Sequence, residues 1–230
     1  MGKYYDQAAI PDALRRTYDV YDRIKQLGIN LGTFEENVRS LEGRNIAGAV
    51  VQESGLVYLS GVGTGKLPMN DDPERVKHGQ EAGREAADHH LRVLHWTLSC
   101  GGEGDLNDVL YAIKALGMVV STEVDFNSGP AVVNGYSGRW QDVFGGAIGH
   151  FAQNGIDPGG YAGVHARSAI GGFTGRFSQE PEMIVAIPSA LAQAIIKNRG
   201  WILPLPPSMF GKVRALHAAS GGSGSGTSGR

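Results

Sequence analysis

The alternation of short apolar runs with longer helical patterns is the sequence feature that most limits how this chain can fold. Strand-like runs are short, rich in Val, Ile and Leu, and bounded by turn-forming residues, and they cover residues 46–51, 56–63, 109–120, 164–173 and 182–187. Helical patterns place apolar residues three or four positions apart, and they cover residues 8–27, 73–98, 132–144 and 189–200. This order predicts an α+β fold, with a mixed sheet and helices on one of its faces.

Two short connections make this prediction more specific. The turn-like sequence Gln52-Glu53-Ser54-Gly55 separates the first two strand-like runs, and we expect it to close a β-hairpin. The last two runs, 164–173 and 182–187, are also close in sequence, and we expect them to be neighbouring strands. Residues 145–163 are rich in glycine and show no clear period, and a loop of this length is often functional.

Composition excludes several classes of partner and location. The chain has 230 residues, with 21 Lys and Arg against 23 Asp and Glu. It therefore has no excess of basic residues that would indicate binding to nucleic acid or to anionic lipid. The single cysteine, Cys100, allows no intrachain disulfide and favours a reducing, cytoplasmic location. We find neither a run of 18 apolar residues nor the apolar core of a signal peptide, and we therefore expect no membrane association.

Two motifs that might hold a ligand do not have the required spacing. The sequence Gly63-Thr64-Gly65-Lys66 lacks the spacing of a phosphate-binding loop, since a leucine follows the lysine. The predicted helix 73–98 contains His89, His90 and His95, but metal ligands on a helix need spacings of three or four on one face. A packed or solvated histidine cluster is the favoured interpretation, and we predict no metal site.

Arg167 is the strongest candidate for binding a small molecule. It lies among small and apolar residues in the run 164–173. A buried guanidinium without a partner is very costly, so it must reach water or bind an anion. Its planar group can hold a carboxylate through two parallel hydrogen bonds. A structural ion pair with a glutamate at a strand edge would explain the residue equally well, and both interpretations stay open.

Several short segments, in this order along the chain, resemble the RidA/YjgF family of small trimeric imine and enamine deaminases. The resemblance extends over about residues 24–187, and His165 is similar to a longer subgroup of that family. The segments that carry it are Gly55–Gly61, Gln80–Ala82, Leu106–Val109, Val133–Tyr136 and Ala166–Gly171.

This resemblance implies a chorismate-mutase-like α+β fold and a homotrimer with three clefts between subunits. It implies that Arg167 holds the carboxylate of a small-molecule substrate and that Glu182 positions the attacking water. It further implies that the backbone of Ser60 and Gly61 lines the cleft, with Asn134 nearby. Neither a metal nor an organic cofactor is required.

The chain departs from the family pattern at several places, one of which is a longer, Gly-rich link from Asn134 to Arg167. The N-terminal Gly-Pro-Tyr-Ser-Gln segment, which lends an aromatic side chain to the cleft, has no counterpart. Ala169 replaces a frequent cysteine, and Ile184 replaces the second acid of a Glu-x-Glu pair. We expect the 145–163 loop to close over the site, with Tyr161 in place of the missing aromatic. The alternative is a surface loop that fills a gap between subunits.

These observations predict an N-terminal helical extension (1–45), a RidA/YjgF-like domain (46–187), a C-terminal extension (188–219) and a Gly/Ser linker or tag (220–230). We expect the periodic segments of both extensions to pack on the outside of the core. The predicted activity is hydrolytic deamination of a carboxylate-bearing imine or enamine, giving a keto acid and ammonia. The alternatives are a non-catalytic trimeric ligand-binding or regulatory protein, and a related-fold hydrolase or lyase acting on a larger cyclic carboxylate.

Overall fold

Helices and strands alternate along the chain in the order that the sequence predicts. The computed structural model describes residues 2–33, 36, 48–63, 73–99, 104–120, 128–157, 159–172, 179–200 and 202–203. Within these residues the helices are α1 (Val20–Gln26), α2 (Arg75–Ser99), α3 (Ser128–Phe144), α4 (His150–Gln153) and α5 (Ser189–Arg199). The strands are β1 (Ala49–Val51), β2 (Leu56–Leu59), β3 (Tyr111–Val120), β4 (Ala166–Gly172), β5 (Gln179–Ala186) and β6 (Ile202–Leu203).

The strands form one mixed sheet in the order β4-β3-β5-β2-β1-β6. The β3–β4 pair is parallel and the other pairs are antiparallel. The predicted hairpin is confirmed, because β1 pairs with β2 and Val51 lies opposite Val57. Its turn requires a glycine at Gly55, where φ is +94° and a Cβ would overlap the carbonyl oxygen of Ile187.

The prediction that the last two strands are neighbours is wrong. Strand β3 lies between them, so that Ala115 pairs with Arg167 of β4 on one side and with Met183 of β5 on the other. β3 is the longest strand, and its residues Ala112, Ala115 and Val119 are buried. Its position inside the sheet lets the backbone of this long apolar strand form hydrogen bonds along both edges, and that gain outweighs the proximity of β4 and β5 along the chain.

Helices α2 and α3 pack against each other and cover one face of the sheet. The predicted apolar stripe of α2 is buried, and α3 buries a row of aromatic side chains one turn apart, Tyr136, Trp140 and Phe144. Both helical predictions are therefore confirmed. No helix within the described residues has the length and the apolar character needed to cross a bilayer.

The backbones of the two covering helices are in close contact because each helix has a glycine there. A Cβ on Gly83 of α2 would overlap the carbonyl oxygen of Val132, and a Cβ on Gly135 of α3 would overlap that of Gln80. Without side chains at these two positions, the backbones approach more closely than other residues would allow. This contact sets which residues of α2 and α3 lie side by side.

The opposite face of the sheet has apolar side chains that no described element covers. Leu116 and Met118 of β3 and Ile184 of β5 are partly exposed, and Ile170 of β4 is 53% exposed. Glu182 lies on this face too, opposite Leu116. An apolar sheet face normally packs against another layer.

The prediction of one helix over residues 8–27 is wrong. Two single 3-10 turns, Gln7–Ala9 and Asp12–Leu14, precede α1. Pro11 is extended, with ψ near 139°, and Asp19 begins α1 afresh by accepting a hydrogen bond from the Tyr21 amide at 2.8 Å. The apolar spacing is helical, but the proline and the new N-cap interrupt the backbone pattern.

The N-terminal segment contributes to the core as well as covering it. Val20 and Ile24 belong to the main hydrophobic cluster. The buried guanidinium of Arg16 donates from Nη2 to the carbonyl oxygens of Asn107, at 3.0 Å, and Val109. These bonds tie the segment to the residues that lead into β3.

At the C-terminal end, the predicted helix is confirmed as α5. Of the predicted extension 188–219, residues 188–200 and 202–203 are described. The predicted linker 220–230 lies outside the described residues.

The helix crossing predicts a large effect of one methyl group. We expect Gly83→Ala to lower the free energy of unfolding by about 2–3 kcal/mol, because the added Cβ must push α2 away from the carbonyl of Val132. Gly138→Ala on α3 is the control, since its Cβ would make an ordinary 3.6 Å contact with the Ile148 carbonyl. Urea denaturation measures both, and equal stabilities for the two variants would contradict this account of the crossing.

Candidate active site

Arg167 lies on β4, the edge strand of the sheet, and its side chain is on the face covered by the helices. Its backbone pairs with Ala115, which is buried beneath those helices. The guanidinium is exposed, and Nη1 donates a hydrogen bond to Oδ1 of Asn134 on α3 at 2.7 Å. The structure thus brings together Arg167 and Asn134, two residues that the resemblance places near one site.

The two side chains lie at a cleft of about 310 Å³, which we call the Arg167 cleft. Residues from α2, α3, the start of the 145–163 loop and β4 line it: Gln80, Arg84, Asn134, Gly135, Gly138, Asp142, Ile148, His150, Gln153 and Arg167. Neither Arg84 nor Gln80 is among the site residues predicted from the sequence. Their four-residue spacing on a predicted helix is the one local signal that they share a face.

The lining of the Arg167 cleft carries more positive than negative groups. Arg167 and Arg84 form no ion pair with a carboxylate among the described residues. Asp142 is the acid in the lining; it is buried and accepts a hydrogen bond from the backbone amide of Phe151 at 3.0 Å. Burial raises the pKa of Asp142, although that amide and the charge of Arg139 act in the opposite direction. The cleft therefore suits an anionic ligand.

Glu182 is not brought to Arg167 within one chain. Across the sheet, Glu182 pairs with Leu116, whereas Arg167 pairs with Ala115, the preceding residue of β3. Successive side chains of a strand point to opposite faces, so Glu182 and Arg167 lie on opposite faces of the sheet. Since β3 separates their strands, their backbones are also about 10 Å apart, two strand spacings.

Ser60 and Gly61 follow the end of β2 and are not among the residues that line the Arg167 cleft. The carbonyl oxygen of Ser60 accepts a hydrogen bond from Nε2 of His90 at 2.8 Å. A Cβ on Gly61 would lie 2.6 Å from the carboxylate of Glu180, so the backbone passes close to that side chain. The two residues are thus held in place by α2 on one side and β5 on the other.

His90 is a fully buried histidine with a defined tautomer. A carbonyl oxygen can only accept, so Nε2 carries the proton that bonds to Ser60, and Nδ1 accepts from the hydroxyl of Tyr136. Burial lowers the pKa of His90 to about 3, with the Ser60 bond acting against this shift. The prediction of a packed histidine is confirmed at this position.

His165, two residues before Arg167, is also held by two hydrogen bonds. Its Nδ1 donates to the carbonyl oxygen of Gly163 at 2.8 Å, which leaves Nε2 to accept from the Ser137 hydroxyl at 3.0 Å. Burial lowers the pKa of His165. The side chain links the end of the glycine-rich loop to α3, close to the point where β4 begins.

The 145–163 loop reaches the cleft through its first residues rather than through Tyr161. Ile148, His150 and Gln153 line the cleft. Tyr161 is 48% exposed, does not line the cleft, and donates its backbone N–H to the carbonyl of Ala13 at 2.8 Å. The structure therefore does not bring Tyr161 to the other site residues.

The N-terminal segment holds the middle of this loop. The guanidinium of Arg23 lies 4.2 Å from the ring centre of Phe151 and donates to the carbonyl of Asp157 at 2.9 Å. Phe151 is buried, so it is not available to contact a ligand. These contacts hold the loop against the N-terminal segment of the same chain, and they argue against a lid that moves freely.

Comparison with known proteins shows similarity at the level of fold. No protein-family model matches the chain, and no curated protein matches it. A solved structure from Shewanella oneidensis MR-1, provisionally assigned as an endoribonuclease, aligns with a TM-score of 0.53 at 16% identity and covers 74% of this chain and 100% of its own. A protein of unknown function from Agrobacterium tumefaciens is 24% identical, with coverages of 73% and 91% and a TM-score of 0.48. The first similarity supports the α+β fold, and the second is too low to carry an argument.

The buried His90 predicts a loss of stability in acid. Its pKa is about 3 in the folded chain and 6.5 when unperturbed, so between these values the unfolded chain binds more protons. We expect stability to fall as the pH is lowered from 6.5 towards 3, and the contribution of His90 to change by up to about 1.4 kcal/mol per pH unit.

The test compares urea denaturation of the wild type and His90→Gln across this range. Gln can still donate to Ser60 and accept from Tyr136, and it does not titrate. His78→Gln, at a partly exposed position on the same helix, is the control. A His90→Gln profile parallel to that of the wild type would exclude His90 as a source of acid sensitivity.

Proposed function

We propose that this protein hydrolyses a small imine or enamine that bears a carboxylate, giving a 2-keto acid and ammonia. The observation that carries the proposal is the exposed guanidinium of Arg167, which Asn134 orients at a cleft where no described carboxylate pairs with it. A guanidinium held in this way is suited to bind a planar carboxylate. The choice of imine chemistry follows from the resemblance in Ala166–Gly171 and its neighbouring segments.

In the proposed reaction, Arg167 binds the substrate carboxylate beside the C=N bond. Its positive charge withdraws electron density from the carbon of that bond and favours attack by water. Addition of water gives a carbinolamine, and transfer of a proton to its nitrogen allows ammonia to leave as the C=O bond forms. The hydrogen bond to Asn134 uses one N–H of Nη1, so the remaining donors of the guanidinium can face the substrate.

Activation of the water is the role expected of Glu182, which lies on the opposite face of the sheet from Arg167 within one chain. We propose that Glu182 of a neighbouring copy performs this role, in a homotrimer whose subunits cover the apolar sheet face around Leu116, Ile170 and Ile184. The partial exposure of this face in one chain supports such an assembly. Each cleft would then combine residues of two subunits.

A second candidate function is binding of a small carboxylate without turnover. Two observations favour it. Glu182 and Arg167 lie on opposite faces of the sheet, and Asp142, the acid in the cleft, already accepts a hydrogen bond from the backbone amide of Phe151. The cleft volume of about 310 Å³ is at the lower end for ligand sites. It therefore favours a small acid over the larger cyclic carboxylate considered from the sequence.

The carboxylate-binding role predicts the effect of removing Arg167. We expect Arg167→Ala to lower kcat/KM for 2-iminopropionate by roughly 100-fold, the loss of one charge-assisted pair. The assay generates the imine with an amino-acid oxidase and follows its decay. Lys197→Ala, on the exposed side of α5, is the control for loss of one positive charge. Full activity of Arg167→Ala would refute the proposed role.

Glu182→Gln distinguishes the two candidate functions. If the protein is an enzyme, this variant should lose turnover, because the side-chain amide of glutamine cannot activate water. It should keep its affinity for the keto-acid product. If the wild type binds 2-keto acids and hydrolyses none of a panel of 2-imino acids, the non-catalytic function is correct.

A shared cleft predicts that two inactive variants restore each other. We expect a 1:1 mixture of Arg167→Ala and Glu182→Gln chains, unfolded and refolded together, to regain about one quarter of wild-type activity, since a quarter of randomly assembled clefts contain both residues. Light scattering of the same sample should give the mass of a trimer. An inactive mixture of correctly assembled trimers would contradict a cleft shared between subunits.

A further inference from the structure

Arg84 provides the Arg167 cleft with a second guanidinium, from a different element of the fold. It lies near the middle of α2, whereas Arg167 lies on β4. The resemblance assigns no role to Arg84. The charges of two guanidinium groups at one cleft repel each other, and a bound anion offsets that repulsion.

The position of Arg84 is set by the glycine crossing of the two helices. Arg84 directly follows Gly83, whose backbone packs against the carbonyl of Val132. Gly135 packs in the same way against the carbonyl of Gln80, one turn before Arg84. The backbone that carries Arg84 is therefore fixed against α3, the helix that also carries Asn134.

Two acids near Arg84 interact with other groups as well. Burial raises the pKa of Asp88 to about 6, and the charges of Arg139, Arg92 and Arg84 oppose that shift. Asp88, one turn further along α2, pairs with Arg139 at 2.9 Å. Asp142, in the lining of the cleft, accepts the amide of Phe151. Arg84 and Arg167 therefore line the cleft together with one carboxylate, that of Asp142, which already accepts a hydrogen bond. Because Arg84 and Arg167 come from different elements of the fold, each can bind a separate carboxylate of one ligand.

We propose that the cleft takes a dicarboxylate, and that the substrate is a 2-imino acid with a second, distal carboxylate. Arg167 holds the carboxylate beside the C=N bond, and Arg84 holds the distal one. This inference rests on the proposed function and names the substrate class of the same site. It makes Arg84 a specificity-determining residue, since a site that binds a charged group discriminates strongly against a ligand without it.

Two stable keto acids of equal chain length provide the test in the full-length protein. 2-Oxoglutarate and 2-oxopentanoate each have five carbons. The end distal to the keto group is a carboxylate in 2-oxoglutarate and a methyl group in 2-oxopentanoate. By calorimetry we expect the wild type to bind 2-oxoglutarate at least about tenfold more tightly. Arg84→Gln should reduce this preference below about threefold and leave the affinity for 2-oxopentanoate within about twofold.

Three further variants separate the contribution of Arg84 from general effects. Arg167→Gln should weaken the binding of both acids, because both have the carboxylate beside the keto group. Arg84→Lys should retain part of the preference, since it keeps the charge but loses the planar guanidinium. Lys197→Gln, outside the cleft, should change neither affinity. Thermal unfolding of each variant verifies that it is folded.

The outcomes distinguish this inference from the proposed reaction. Equal affinities of the wild type for the two acids, or an equal effect of Arg84→Gln on both, would overturn the dicarboxylate assignment while leaving hydrolysis of a monocarboxylic imine intact. A dicarboxylate preference without turnover of 2-iminoglutarate or 2-iminopentanoate would overturn the proposed reaction and support the ligand class. Binding of neither acid would overturn the carboxylate site and this inference with it.

Discussion

The close crossing of α2 and α3 is the constraint on which the candidate site depends. Glycine at positions 83 and 135 lets each helix backbone rest on a carbonyl of the other. This contact places Arg84 beside the part of α3 that carries Asn134, and Asn134 in turn orients Arg167 on the edge strand. A side chain at either glycine would separate the helices and widen the cleft between its two cations. Stability and ligand geometry therefore depend on the same contact.

Buried polar groups join the remaining parts of the chain to this frame. Arg16 connects the N-terminal segment to the backbone that enters β3, and His90 connects α2 to both the end of β2 and Tyr136 of α3. A buried polar group without partners would cost free energy, so each such residue requires its specific neighbours. These bonds specify one arrangement of the segments, which burial of apolar surface alone does not do.

Most elements could be predicted from the sequence because their signals are local. The period of apolar residues identifies α2, α3 and α5, and a four-residue turn identifies the β1–β2 hairpin. The errors concern what local patterns do not contain. The helix predicted over residues 8–27 has the right apolar spacing, but an extended Pro11 and the capping by Asp19 divide it. The pairing of β4 with β3 is a contact between distant segments, which chain proximity cannot reveal.

The candidate site could be predicted in part, for the same reason. Arg167 stood out as an obligate cation in an apolar run, and Asn134 was associated with it through the resemblance. Arg84 could not be found, because its place in the cleft depends on how two helices cross. The faces of Glu182 and Arg167 depend on strand register, and the irregularity between Ala112 and Lys114 of β3 changes the alternation there.

The separation of Glu182 from Arg167 links function to assembly. The Arg167 cleft lies on the helix-covered side of one chain, with Asn134, Arg84 and Arg167 in its lining. Glu182 lies on the other side of the sheet, among apolar residues that are exposed in one chain. If a second copy covers that face and brings its own Glu182 to the cleft, an isolated chain can bind a carboxylate but cannot activate water. Binding without turnover and turnover in an assembly are then two states of one protein, and the burial of the apolar sheet face determines which state is present.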